Sequence, residues 1–184
     1  MFGRIVVGAA ALCAFTASCT SDPRVAKRSS AAASSASAEP ARCALNRLAV
    51  TLQPTQGSAG HFGVVLEFEN EGPTCTLQGY PEVDGILFDG THIVSAERTE
   101  FGYLGGVKDG SLPTVVLSTG EAGSALVEGE TGDVAGRGEC LAYQTYLVTP
   151  PDAMEPVSLR SPYPLCYPEV HPVVNGDAGG QYAG

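Results

Sequence analysis

The clearest pattern in the chain is Phe62, Val64, Leu66 and Phe68 alternating with Gly63, Val65, Glu67 and Glu69. A period of two predicts a half-buried β-strand, because successive side chains of an extended chain point to opposite faces. Leu48, Val50 and Leu52 alternate in the same way with Arg47, Ala49 and Thr51. After Phe68, the residues Asn70, Gly72 and Pro73 supply a turn, and Cys75 to Gly79 reads as a short strand. Ile86-Leu87-Phe88 lies between Asp84-Gly85 and Asp89-Gly90 and is expected as a brief strand between two tight turns. Further strands are expected over 91–96, 114–117, 122–128, 139–149, 156–160 and 169–174, and Pro150-Pro151 stops the longest of them. No ten-residue stretch has a helical period. Many short strands separated by turn signals predict an all-β domain built as a two-sheet antiparallel β-sandwich, with a closed barrel as the runner-up.

The strand pattern begins only at Cys43. Residues 1–19 have the form of an export signal: Arg4, then an uncharged apolar run from Ile5 to Phe15 that is too short to span a bilayer. Thr16-Ala17-Ser18-Cys19 resembles the lipobox of bacterial lipoproteins, although Thr16 stands where leucine is usual. Cys19 is therefore the expected lipidation site, carrying a palmitate-type diacylglycerol at the mature N-terminus. The alternative is ordinary cleavage nearby and a secreted product. Residues 20–42 read as a disordered tether, in which the low-complexity Ser/Ala run over 29–38 has no large apolar side chain to bury. Residues 176–184 read as a disordered Gly-rich tail.

Composition narrows the partners. With Gly 23 and Pro 13 in 184 residues, turns and short strands are favoured over helices. From Cys43 onward, five basic residues face eighteen acidic ones, a net charge of −13 within a chain of −10. Such a surface repels phosphate backbones, so nucleic acid is not an expected partner.

The domain keeps four cysteines: Cys43, Cys75, Cys140 and Cys166. An even count in an exported chain implies two disulfides, for which three connectivities exist. Cys43–Cys75 and Cys140–Cys166 are expected because each closes a local loop at one end of the domain. No Cys-x-x-Cys and no histidine at metal-ligand spacing accompanies them.

The stretch Asn70-x-Gly72-x-x-Cys75-Thr-Leu-x-Gly79-Tyr-Pro-x-Val83 resembles the signature of an actinobacterial family catalogued as domain of unknown function 4232. Cys43, Leu117-x-x-Gly120, Cys140 leading to Tyr146-Leu-Val-Thr-Pro-Pro151, and Cys166 before Val170-His-Pro-Val-Val174 agree with it, over about 43–175. The resemblance implies an immunoglobulin-like sandwich and frequent lipoprotein anchoring in the cell envelope. It brings no catalytic residue.

Chemistry is sparse. His61, His92 and His171 lie far apart, and neither a Gly-x-Ser-x-Gly elbow nor a phosphate-cradling loop is present. Glu67, Glu69 and Glu71 read as a solvated strand edge that resists pairing with another chain, and Asp84 and Asp89 as turn residues. No metal, cofactor or catalytic residue is expected. The recognition candidate is the Gly-rich loop 101–110, with Phe101, Tyr103 and Lys108 as its contact residues. The competing reading folds Phe101 and Leu104 back onto the core. The expected function is a non-enzymatic binding module anchored to the cell membrane, its partner an envelope protein or wall component. The alternative is a carrier of a small apolar ligand, and a hydrolase with an unrecognised site ranks last.

Overall fold

The computed structural model describes residues 39–54, 57, 59–87, 89–90, 93–108, 110–132, 136, 143, 145–161, 165–177 and 179–180. The expected signal, Cys19, most of the tether, His92, Cys140 and residues 181–184 lie outside them. The described residues belong to one compact unit, Ala38–Gly184.

Among the described residues, a short 3-10 turn at Leu45–Arg47 leads into twelve strands. They are β1 (Leu48–Pro54), β2 (His61–Asn70), β3 (Cys75–Gln78), β4 (Glu82–Ile86), β5 (Ile93–Ser95), β6 (Glu97–Arg98), β7 (Thr114–Leu117), β8 (Ala122–Glu130), β9 (Thr145–Thr149), β10 (Val157–Arg160), β11 (Cys166–Val170) and β12 (Val174–Asn175). The largest sheet runs β1-β2-β8-β11-β6, with β12 also on β8. A second runs β10-β9-β4-β5, and β3 pairs with β7. Every strand pair is antiparallel except β11–β6.

The alternation that defines β2 carries through to packing. Val64, Leu66 and Phe68 meet Val83, Tyr146 and Val148 of the second sheet and Leu77, Val115 and Leu117 of the third in one hydrophobic core. Each such side chain removed from water contributes roughly 1.5–3 kcal/mol. β8 departs from simple alternation, being buried on both faces from Gly123 to Glu130. On one side of its outer face, Gly179 is buried, and its N–H donates to Ser124 Oγ at 2.8 Å. Part of the segment expected as a tail is therefore seated against β8.

Asn70 joins three segments at the end of β2. Its Nδ2 donates to Pro73 O and Leu117 O, each at 2.9 Å, and its Oδ1 accepts from Gly72 N–H at 2.8 Å. Cys75 then pairs with Cys43, with their Cα atoms 4.9 Å apart, tying the entry of the domain to β3. The expected Cys43–Cys75 bridge is thus present.

Several expectations need correction. Asp84-Gly85 is not a turn but the middle of β4, which is flanked by β9 and β5. Glycine is required there because a Cβ would lie 2.5–2.9 Å from the Tyr143 ring. Glu67 and Glu69 do not guard an edge, since β2 lies between β1 and β8. The strand expected over 169–174 is divided: β11 runs from Cys166 to Val170, and β12 takes up pairing with β8 again at Val174–Asn175. His171 N–H still donates to Leu126 O at 2.9 Å, but Pro172 has no N–H, and Val173 N–H turns to Gly79 O. Gly79 receives it with a positive φ of 100°. Of the strand expected over 139–149, the described part is Thr145–Thr149.

Candidate recognition loop

Among the described residues β6 pairs only with β11, and Thr99 extends that pairing by donating its N–H to Val170 O at 3.1 Å. The chain then leaves the sheet and closes on itself. Gly102 N–H donates to Gly105 O at 2.8 Å and Val107 N–H to Glu100 O at 2.6 Å, with a bridge between Phe101 and Gly106. Gly106 makes this possible with φ 118°, in a place where a Cβ would meet Glu100 O and lie 2.8 Å from Phe101 Cα. Gly106 N–H also donates to Gly180 O at 3.1 Å.

The loop holds its aromatic side chains outward. Phe101 is 51% exposed and Tyr103 52% exposed, so Phe101 is not folded into the core. Lys108 Nζ stands 5.9 Å from the centre of the Phe101 ring, within cation–π range. Tyr103 stacks on His61, with ring centres 4.1 Å apart and an interplanar angle of 12°. The three residues expected from sequence are thus carried on one folded-back loop, and His61 joins them from the start of β2.

Beneath the loop is a polar group that sequence reasoning did not assemble. His171 is fully buried, and its Nε2 lies 2.8 Å from Glu128 Oε1. Its Nδ1 lies 3.0 Å from Thr99 O and 3.3 Å from Thr99 Oγ1. The second oxygen of Glu128 accepts the Leu104 N–H at 2.7 Å. The register explains the meeting, since Glu128 stands opposite Glu169 and Val127 opposite Val170, the residue before His171. A bulge between Cys166 and Glu169, with Tyr167 at φ 50°, shifts the β11 side chains relative to β8. The one sequence signal was Glu128-Gly-Glu130 continuing a buried small-residue strand.

A small pocket of about 100 Å³ opens beside this group, bordered by Tyr103, His61, Glu130, Tyr167 and Glu169. Among the described residues, no three His, Cys, Asp or Glu side chains are disposed to hold a metal ion. Nor, among them, is any helix long and apolar enough to cross a membrane.

Elsewhere, Tyr146 is fully buried in the core. Its hydroxyl approaches the Leu165 backbone without a well-formed hydrogen bond. Burial pushes its phenol well above the usual tyrosine value, the Leu165 backbone opposing this and Tyr143 adding to it. Tyr80 is raised by partial burial and then by the charge of Glu100.

The family model described as Domain of unknown function (DUF4232) matches residues 43–178. No curated protein and no solved structure matches the chain. The chain belongs to the DUF4232 family.

Proposed function

We propose that this family member is a non-enzymatic recognition domain of the cell envelope, exported and held at the membrane by lipid on Cys19. It binds a protein or wall component through Phe101, Tyr103 and Lys108. One observation carries the reading: two aromatic side chains are half exposed on a loop whose backbone is closed on itself and tied to the sheet below. Aromatic anchors dominate interface energetics, and a pre-ordered loop loses less entropy on binding. The anchor rests on the run ending in Thr16-Ala17-Ser18-Cys19. An immunoglobulin-like sandwich is the finer description of the fold in this reading. A second bridge, Cys140–Cys166, belongs to it and is supported by Cys166 being disulfide-bonded.

The test is photo-cross-linking in the producing cells. A photoreactive phenylalanine analogue placed at Phe101 is expected to give a discrete adduct. The same analogue at Met154, which is 96% exposed, should give none. The Phe101 adduct should vanish when Tyr103→Ala and Lys108→Ala are combined. Equal adducts from both positions, or an adduct indifferent to the double change, would overturn the reading.

The carrier reading retains one supporting observation. A groove of about 420 Å³ lies beside the same loop, bordered by Val107, Pro113 and Val174. It predicts a small molecule retained by the native protein.

A further inference from the structure

We propose that Glu128 and His171 form a proton-holding latch that positions the recognition loop. The Thr99 carbonyl oxygen can only accept, and at 3.0 Å it is the shorter of the two contacts at His171 Nδ1, the Thr99 hydroxyl being 3.3 Å away, so Nδ1 is assigned a hydrogen that points to the carbonyl. Nε2 and Glu128 Oε1 are 2.8 Å apart in a site with side-chain exposures of 0% and 3%. Two lone pairs do not face each other at that distance, so a second proton lies between them. It belongs either to an imidazolium beside a carboxylate or to a neutral imidazole beside a carboxylic acid, and in both cases the pair is neutral overall. Removing it would leave a buried, unpaired negative charge.

The pair holds the loop at two points. Thr99, where the loop starts, is bound through its carbonyl to His171, and Leu104, at the turn, through its N–H to Glu128. Phe101 and Tyr103 lie between these points. The loop also rests directly on the pair: a Cβ on Gly102 would overlap Glu128 Oε1 and lie 2.7 Å from His171 Cε1.

The surrounding titratable groups are Glu130 on β8, Glu169 and Tyr167 on β11, His61 on β2 and Tyr103 on the loop. On β6, Glu97 stands opposite Glu169 and Arg98 opposite Val170. A neutral pair adds no charge to this acidic wall. Glu128 and His171 are therefore positioning residues, and what they require is the proton count and not a net charge.

That requirement separates two variants of similar size. In Glu128→Gln the amide nitrogen donates to a neutral Nε2 while the amide oxygen accepts the Leu104 N–H, so every bond is kept. In Glu128→Leu both are lost. The readout is amide hydrogen exchange of the unliganded protein, together with ¹⁵N spectra of His171 in the wild type. E128Q should leave Leu104 exchange within about twofold of wild type, whereas E128L should speed it roughly tenfold or more, as expected for losing a hydrogen bond to a charged or strongly polar acceptor. The wild-type spectrum should show a hydrogen on Nδ1. The proposal is overturned if E128Q exchanges like E128L, or if Nδ1 carries no hydrogen; the spectrum decides even where E128L does not fold. No partner is needed for either measurement, so the latch can fail while the binding reading stands, and the reverse.

Discussion

Replacing Asn70 with alanine removes three side-chain hydrogen bonds at a position with no solvent exposure. It leaves Pro73 O, Leu117 O and Gly72 N–H without those partners. It also cuts the link between the end of β2, the 72–75 turn and β7. The backbone of Asn70 remains bonded to Glu121 O and Gly120 N–H, so the loss is confined to the side chain. At about 1 kcal/mol net for each bond, with more where a buried group stays unsatisfied, the cost is about 3 kcal/mol. For a domain of this size that corresponds to a fall in Tm of about 10 °C. Asn70→Asp sharpens the argument. A carboxylate can still accept from Gly72 N–H, but it turns an acceptor toward two carbonyl oxygens. The near-isosteric change should therefore be worse than alanine at neutral pH and should recover as acid protonates the new carboxyl. Urea unfolding followed by circular dichroism, with disulfides intact, measures both. A loss below about 1 kcal/mol for N70A, or an N70D milder than N70A at neutral pH, would refute this account of Asn70.

Three further outcomes are expected. Gly85→Ala forces a methyl against the Tyr143 ring and should cost about 1–3 kcal/mol by overpacking, read as a lower urea midpoint. Changing Cys43 and Cys75 together to serine opens a loop of sequence separation 32 and should cost about 3.5 kcal/mol on the loop-entropy model, measured in the same assay without reductant. Tyr146→Phe removes a buried hydroxyl that lacks a well-formed bond and should leave stability unchanged or slightly raised. In the wild type the raised Tyr146 phenol stays neutral in the folded state while the unfolded chain ionises at the ordinary value. Stability should therefore fall as pH rises above about 10, and less steeply in Tyr146→Phe.

The positions of many strands along the chain were legible because burial on one face leaves a period-two trace, whereas their order in the sheets was not. β2, β3, β7 and the Cys43–Cys75 bridge could be placed from that trace and the cysteine positions. The residues of the family signature now have physical roles: Asn70 joins three segments, Gly72 lies against Arg47, Cys75 ties the domain entry, and Gly79 takes a positive φ. What alternation does not report is the neighbour across the sheet. Asp84-Gly85 has turn composition, yet Gly85 is selected by the Tyr143 ring above it. Glu128 and His171 each look polar and unremarkable in sequence, and only the β8–β11 register brings them together. Gly-rich spacing around aromatics marked the loop but left open whether Phe101 packs on the core or stands exposed, and the support beneath the loop was not legible at all.

The central claim is an anchored, disulfide-tied domain that binds at its surface and carries nothing inside. Intact mass spectrometry of the protein extracted from its own membranes, in native and denatured states without reductant, tests it most directly. The account predicts a chain beginning at Cys19 with a diacylglycerol-type addition, four hydrogens fewer than the reduced sequence, and equal native and denatured masses. An unlipidated chain cut elsewhere would contradict the anchor, and a small molecule retained only in the native state would contradict the binding module in favour of the carrier.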